Sequence, residues 1–176
     1  MTRERAVRLE PPVRIVVTGD THFSPRRNSL PDVLTEAMTA SDLTIHCGDF
    51  CTRACQSMFE AHGPVLAVSG NNDEAELADV LPNRLRIEAG DVRLIVTHGH
   101  RERGSSARHA VQRSYVGQAD IVIFGHSHQP IWEEVDDTWF LNPGSPTMKR
   151  REPRFSFATL EIDRDGAFNA FFTYFD

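Results

Sequence analysis

Five short runs of almost uninterrupted apolar residues punctuate the first three quarters of the chain: VRIVVTG from Val13, LTIHCG from Leu43, VLAVSG from Val65, RLIVTHG from Arg93 and IVIFGH from Ile121. Continuous Val, Ile and Leu, without the alternation of a half-exposed strand, predicts strands covered on both faces. Between several of them the spacing turns helical. PDVLTEAMTA opens on Pro31 and sets Val33, Leu34, Ala37 and Met38 on one stripe. TRACQSMFEA and SSARHAVQRSYV read as two further helices. Strand, helix and strand in repetition predict an α/β fold with a largely parallel sheet.

The final third changes character. TWFLNPGS, RFSFATLEI and AFNAFFTYF are rich in β-branched and aromatic residues, with turn signals at Asn142-Pro143-Gly144 and Asp165-Gly166. Phe155, Phe157, Leu160 and Ile162 come close to alternating. Antiparallel strands that complete a second sheet are expected here, and AFFTYF could supply the interface of a homo-oligomer.

At 176 residues the chain reads as one domain, 1–176. Such a length buries on the order of 70% of the unfolded surface, enough for a core without disulfides. Residues 1–12, MTRERAVRLEPP, are charged and end in two prolines, so they read as a flexible extension and not as a secretory signal. No run approaches the roughly 20 apolar residues that cross a bilayer. A cytoplasmic location with no membrane partner is expected. The net charge of −6 opposes an extended nucleic-acid surface. The basic runs Arg101 to Arg103 and Lys149 to Arg154 read as solvated loops. Cys47, Cys51 and Cys55 are odd in number and close together, which is no disulfide framework; they read as small buried hydrophobes.

Chemistry gathers where the strands stop. The five runs end in GDTH, GDF, GNND, THGH and GHSH, offering Asp20 and His22, Asp49, Asn71 with Asn72 and Asp73, His98 with His100, and His126 with His128. Singly, an Asp after a strand is ordinarily a cap or turn former, and a lone histidine is ordinarily structural, which is how His46, His62 and His109 read. Five strand ends that all offer O or N donors are another matter, because open α/β sheets build sites beyond the carboxyl ends of their strands. A glycine adjoins each, which permits a sharp turn and close approach. Carboxylate, amide and imidazole suit Mn²⁺, Fe²⁺ or Zn²⁺. Asp20, His22, Asp49, Asn71, His98, His126 and His128 are too many ligands for one ion and suit two, which at roughly 3.5–4 Å apart can share a hydroxide and clamp a phosphoryl oxygen. On extended backbone His126 and His128 point to one side, so both reach one centre.

In order along the chain, Asp20-Thr21-His22, Gly48-Asp49, Gly70-Asn71-Asn72-Asp73, His98 and Gly125-His126-Ser127-His128 resemble the signature of the calcineurin-like metallophosphoesterases, over roughly residues 13 to 162. Asn142 to Ser145 resembles the small single-domain phosphodiesterase branch in particular. The resemblance implies a four-layer α/β/β/α sandwich of two mixed β-sheets flanked by helices. It implies two divalent metal ions, Mn²⁺ foremost with Fe²⁺, Zn²⁺ or Ni²⁺ as alternatives. One ion would be held by Asp20, His22 and His128, the other by Asn71, His98 and His126, with Asp49 bridging.

Many family members carry a phosphate-contacting histidine where Asn72 stands. Asparagine can donate to a phosphoryl oxygen but cannot act as a general acid near neutral pH. This favours small phosphodiesters with good leaving groups, with Asn72 and His100 as the candidate catalytic residues. Phe23 replaces a usual glycine and is expected at the pocket wall. The expected function is a dinuclear-metal phosphodiesterase acting on a small-molecule phosphoester; the alternatives are a phosphomonoesterase, a nuclease, or a protein-interaction scaffold of the same fold, as in the retromer subunit.

Overall fold

The computed structural model describes residues 3–24 and 28–176. In chain order the elements are β1 (Glu4–Leu9), β2 (Val13–Thr18), α1 (Asp32–Thr39), β3 (Leu43–His46), α2 (Arg53–Glu60), β4 (Val65–Ala67), α3 (Ala75–Val80) and β5 (Arg84–Ala89). There follow β6 (Val92–Thr97), α4 (Ala107–Tyr115), β7 (Ile121–Phe124), β8 (Ile131–Val135), β9 (Thr138–Asn142), β10 (Phe155–Ile162) and β11 (Phe168–Phe175). They form two mixed sheets, one ordered β1-β5-β6-β7-β9-β8 and the other β11-β10-β2-β3-β4.

The apolar runs explain the layering. Ile15 and Val17 of β2, Ile45 of β3, Leu94 and Val96 of β6, and Ile121 and Ile123 of β7 share the core between the sheets. The alternate residues face outward and are buried by helices. Val16 meets Leu34, Met38, Phe59 and Leu77 of α1, α2 and α3; Ile95, Val122 and Phe124 meet Val111 and Tyr115 of α4. A strand buried on both faces has no polar position to alternate with, hence the unbroken runs. The result is the expected α/β/β/α sandwich. Helix starts follow their caps: Thr52 accepts from Cys55 N ahead of α2, and Ser106 accepts from His109 N ahead of α4.

Three expectations change. Residues 4–9, read as part of a loose extension, form β1, parallel to β5 from Glu4↔Arg84 to Leu9↔Ala89. Val7 and Leu9 pack on the core between the sheets, and Glu4 pairs with Arg84 and Arg86. The charges hid a strand that buries one face only. β5 escaped for the same reason, since Arg84, Arg86 and Glu88 interleave with buried Leu85, Ile87 and Ala89. Finally, the aromatic segments of the last third divide. β10 and β11 extend the second sheet antiparallel to β2, whereas β9 joins the first sheet parallel to β7, with β8 antiparallel at its edge. No helix among the described residues is long and apolar enough to cross a membrane.

Deleting residues 1–9 is expected to lower the unfolding free energy by about 2 kcal/mol or more, from the lost burial of Val7 and Leu9. Urea denaturation followed by circular dichroism measures it; an unchanged midpoint would mean that the segment contributes nothing to the sheet.

Candidate metal centre

The loops after β2, β3 and β4 in one sheet, and after β6 and β7 in the other, converge at one end of the sandwich. Their backbones are bent hard. Asp20, His22, Asp49, Cys51, His126 and His128 all have left-handed φ, between 46° and 72°. Each such non-glycine residue costs on the order of 1 kcal/mol or more, and such strain collects at functional sites. Bonds between the loops hold it: Asp20 N–H donates to Gly48 O at 2.9 Å, His22 N–H to Asp49 O at 3.0 Å, and Gly125 N–H to His98 O at 3.2 Å. The approach is closest at Gly70, where a Cβ would stand 2.0 Å from Asp49 Oδ1.

Side chains meet in the space so formed. His22 Nε2 and His128 Nε2 face one another at 3.1 Å. Asp20 Oδ1 lies 3.4 Å from His128 Nε2 and 3.7 Å from His22 Nε2. Asp49 Oδ2 lies between His22 Nε2 at 3.5 Å and His98 Nε2 at 3.4 Å. Asn71 Oδ1 closes the far side, 3.2 Å from His98 Nε2. Two triads, Asp20-His22-His128 and Asp20-Asp49-His98, are each compact enough to hold an ion. The His126 ring stands beside His98, centroids 5.1 Å apart, and its peptide N–H donates to Asp20 Oδ2 at 2.8 Å.

A second layer of bonds sets which ring nitrogens point inward. His98 Nδ1 donates to Cys47 O at 2.6 Å, and His128 Nδ1 donates to Met148 O. In the neutral ring this leaves Nε2 as a lone pair directed at the centre, the usual way a fold prepares an imidazole ligand. Ser145 Oγ donates to Asp20 O and accepts from Met148 N–H, both at 2.8 Å. Thr147 Oγ1 donates to Thr21 O, and Asn142 Nδ2 to Gly125 O at 2.9 Å. His46, read as structural, accepts from Gly48 N–H and donates to Thr21 Oγ1 at 2.6 Å while stacked on Phe50. Asp73 accepts from Cys51 N–H and Gly70 N–H, so it ties two loops together. Sequence reasoning missed the bracing by Ser145, Thr147 and Asn142; the only signal was the Asn-Pro-Gly-Ser turn.

The electrostatics suit cations. Asp20 and Asp49 are buried, and among the described residues neither pairs with Lys or Arg. Among the described residues, Asp20 Oδ1 has no hydrogen-bond partner. Burial pushes the Asp49 carboxyl up, but hydrogen bonds from His98 and Asn72 overcome it and hold the group well below the ordinary carboxylate range. Burial pulls His98 down, yet its bond to Asp49 and the charges of Asp20 and Asp49 raise it on balance. Burial lowers His46, His126 and His128. A carboxyl held ionised at Asp49 and an orphaned oxygen on Asp20, both facing imidazole nitrogens, fit a divalent cation. The thiols do not take part: burial raises all three, Cys51 to about 12, although Cys51 Sγ sits 3.7 Å from His22 Nδ1.

Asp20, His22, Asp49, Asn71, His98 and His128 are thus brought together, with the His126 ring at the margin. Asn72, expected to face substrate, is exposed and also donates to Asp49, from its peptide N–H to Oδ1 at 2.8 Å and from Nδ2 to Oδ2 at 2.7 Å. His100 is half-buried, its ring 5.2 Å from that of His98, and its Nδ1 lacks a partner. Burial, then the charges of His98 and Arg101, lower its pKa to about 4. Phe23 packs with Leu30 and Leu34 in the core under the helices, so it is a packing residue and not pocket wall.

Comparison with known proteins shows the family and the fold. The family model for the calcineurin-like phosphoesterase superfamily domain matches residues 13–165. A probable metallophosphoesterase of Methanothermobacter thermautotrophicus is 34% identical over 85% of this chain and 86% of its own. A Methanocaldococcus jannaschii protein named as a phosphodiesterase is 29% identical over 75% of this chain and 83% of its own. Among solved structures, Vps29 from Entamoeba histolytica complexed with zinc superposes with a TM-score of 0.70 at 25% identity, over 93% of this chain and 99% of that one.

Replacing Asn72 with Ala is expected to weaken Mn²⁺ binding about tenfold, the lower end of what loss of an orienting partner costs at such sites. Titration calorimetry measures it. Unchanged Mn²⁺ affinity with a raised KM for a diester would show that the amide serves substrate and not Asp49.

Proposed function

Because the chain belongs to the calcineurin-like phosphoesterase superfamily, we propose that it is a phosphodiesterase of small phosphodiesters that works with two divalent cations. The observation that carries this reading is the convergence of three imidazole Nε2 atoms on two buried carboxylates, one of which has an oxygen without a partner. Asp20, His22 and His128 would hold one cation and Asn71, His98 and His126 the other, with Asp49 shared between them. The oxygen and imidazole donors suit Mn²⁺, and equally Fe²⁺, Zn²⁺ or Ni²⁺ within the same class. Bound there, the pair would supply a water acidic enough to attack phosphorus at neutral pH, and positive charge against the phosphoryl oxygens.

The protein's own groups do the rest. Asn72 keeps both Asp49 oxygens oriented. The carbonyls of Cys47 and Met148 keep the His98 and His128 rings turned inward. His100, half-buried beside the His98 ring, is the remaining imidazole that would contact the phosphate or the leaving oxygen. With asparagine at position 72, no imidazole stands there to protonate a poor leaving group. Esters whose leaving group departs without a proton are therefore the substrates, and the relative named as a phosphodiesterase supports the diester class.

Protein loaded with Mn²⁺ is expected to bind about two equivalents and to hydrolyse bis(p-nitrophenyl) phosphate faster than p-nitrophenyl phosphate. Asp49→Asn is expected to lower kcat/KM on the diester by more than about a hundredfold, beyond what changes around a ligand cost. Full activity in that variant, or inert wild-type protein that still folds and takes up metal, would overturn the reading, the latter in favour of a scaffold.

A further inference from the structure

The basic run that composition alone assigns to solvent borders the centre just described. A cavity of about 250 Å³ is lined by Ser127, Gln129, Lys149, Arg150, Arg151 and Glu152. Ser127 stands between His126 and His128, and Met148, the residue before this turn, accepts the His128 Nδ1 proton. The turn is fixed in place. Met148 N–H is held by Ser145 Oγ, Glu152 N–H donates to Lys149 O at 2.9 Å, and Arg150 is locked at a left-handed φ of 52°. Lys149 Nζ is tethered to Pro153 O at 2.6 Å and rests over the Phe155 ring.

Arg150 and Arg151, both exposed, make no ion pair or side-chain hydrogen bond among the described residues, a state they share with Arg5, Arg101, Arg103 and Arg164; of these six, only Arg150 and Arg151 line this cavity. Two uncommitted guanidinium groups in a chain of net charge −6, beside a site for phosphate chemistry, call for an anion. Lys149, Arg150 and Arg151 against Glu152 leave a formal charge of +2, which balances one phosphate group of about −1.5 to −2. The volume argues the same way: about 250 Å³ is below the roughly 300 Å³ at which ligand pockets begin, so it takes a group and not a molecule.

We propose that this pocket binds a second phosphate of the substrate, so that the preferred substrates are small phosphodiesters carrying another phosphate group. The inference rests on the phosphodiesterase reading for the ester that is cleaved. The planar guanidinium forks of Arg150 and Arg151 grip the second phosphate bidentately, and Ser127 and Gln129 add neutral donors.

A matched pair of substrates tests it: the 4-nitrophenyl ester of thymidine 5′-phosphate, and the same ester with a 3′-phosphate. With Mn²⁺-loaded wild-type protein, the 3′-phosphorylated ester is expected to show about tenfold higher kcat/KM, mostly through KM. Arg150→Gln with Arg151→Gln brings the ratio to about one, whereas Arg8→Gln with Arg164→Gln, which removes equal charge elsewhere, preserves it. Calorimetric affinities for thymidine 3′,5′-bisphosphate against thymidine 5′-phosphate, in the same variants, should follow the same pattern. A ratio near one in the wild type, or a preference that survives in the Arg150/Arg151 variant, overturns the proposal. Absent turnover with an intact binding preference would instead overturn the phosphodiesterase reading and leave the pocket assigned.

Discussion

Two carboxylates buried beside each other, with imidazoles around them and, among the described residues, no Lys or Arg paired to either, are the constraint on which the rest of this protein turns. Taking one carboxylate out of water costs several kcal/mol unless positive charge compensates it. Asp20 and Asp49 make the demand twice within one small space. The surroundings do not relieve it by neutralising Asp49, whose carboxyl is held below the ordinary range. They stabilise the anion and direct lone-pair nitrogens at the same point. Such a site could hold a cation, which fits the chain's membership of the calcineurin-like phosphoesterase superfamily.

The fold can maintain this arrangement because neither sheet makes it alone. One sheet contributes the aspartates, Asn71 and His22, and the other His98, His126 and His128. Alternation in the paired strands locks their inner faces into one core, so the two sets of loops cannot slide apart without exposing Ile15, Ile45, Val96 and Ile123. Left-handed backbone at six site residues turns donors inward at a cost that packing and loop-to-loop bonds offset. The turn after β9 then bonds the loop of Asp20 and that of His128 at once, which explains why Ser145 and Thr147 are buried though polar.

The candidate ligands were legible because they gather where apolar runs end beside a glycine, a pattern set by backbone geometry that survives in one dimension. Strands covered on both faces were legible for a related reason, having no polar interruption. What lay hidden depends on a neighbour distant in the chain. β1 and β5 carry charges on an outer face that no helix covers, so each resembles solvated chain until the two are paired. That Asn72 also orients Asp49 shows only once the carboxylate is seen within reach of its amide. The 149–152 turn reads as an ordinary charged loop until its cavity is found against the His126–His128 segment.

The spread of the centre along the chain also bears on how the molecule comes into being. The contact from His126 N–H to Asp20 spans 106 residues and that from Ser145 to Asp20 spans 125. Closing such loops is slow, since their entropy must be spent before any distant contact repays it. The centre draws on residues from Asp20 to Met148, so its last tie, from His128 to Met148, closes only after most of the chain is in place.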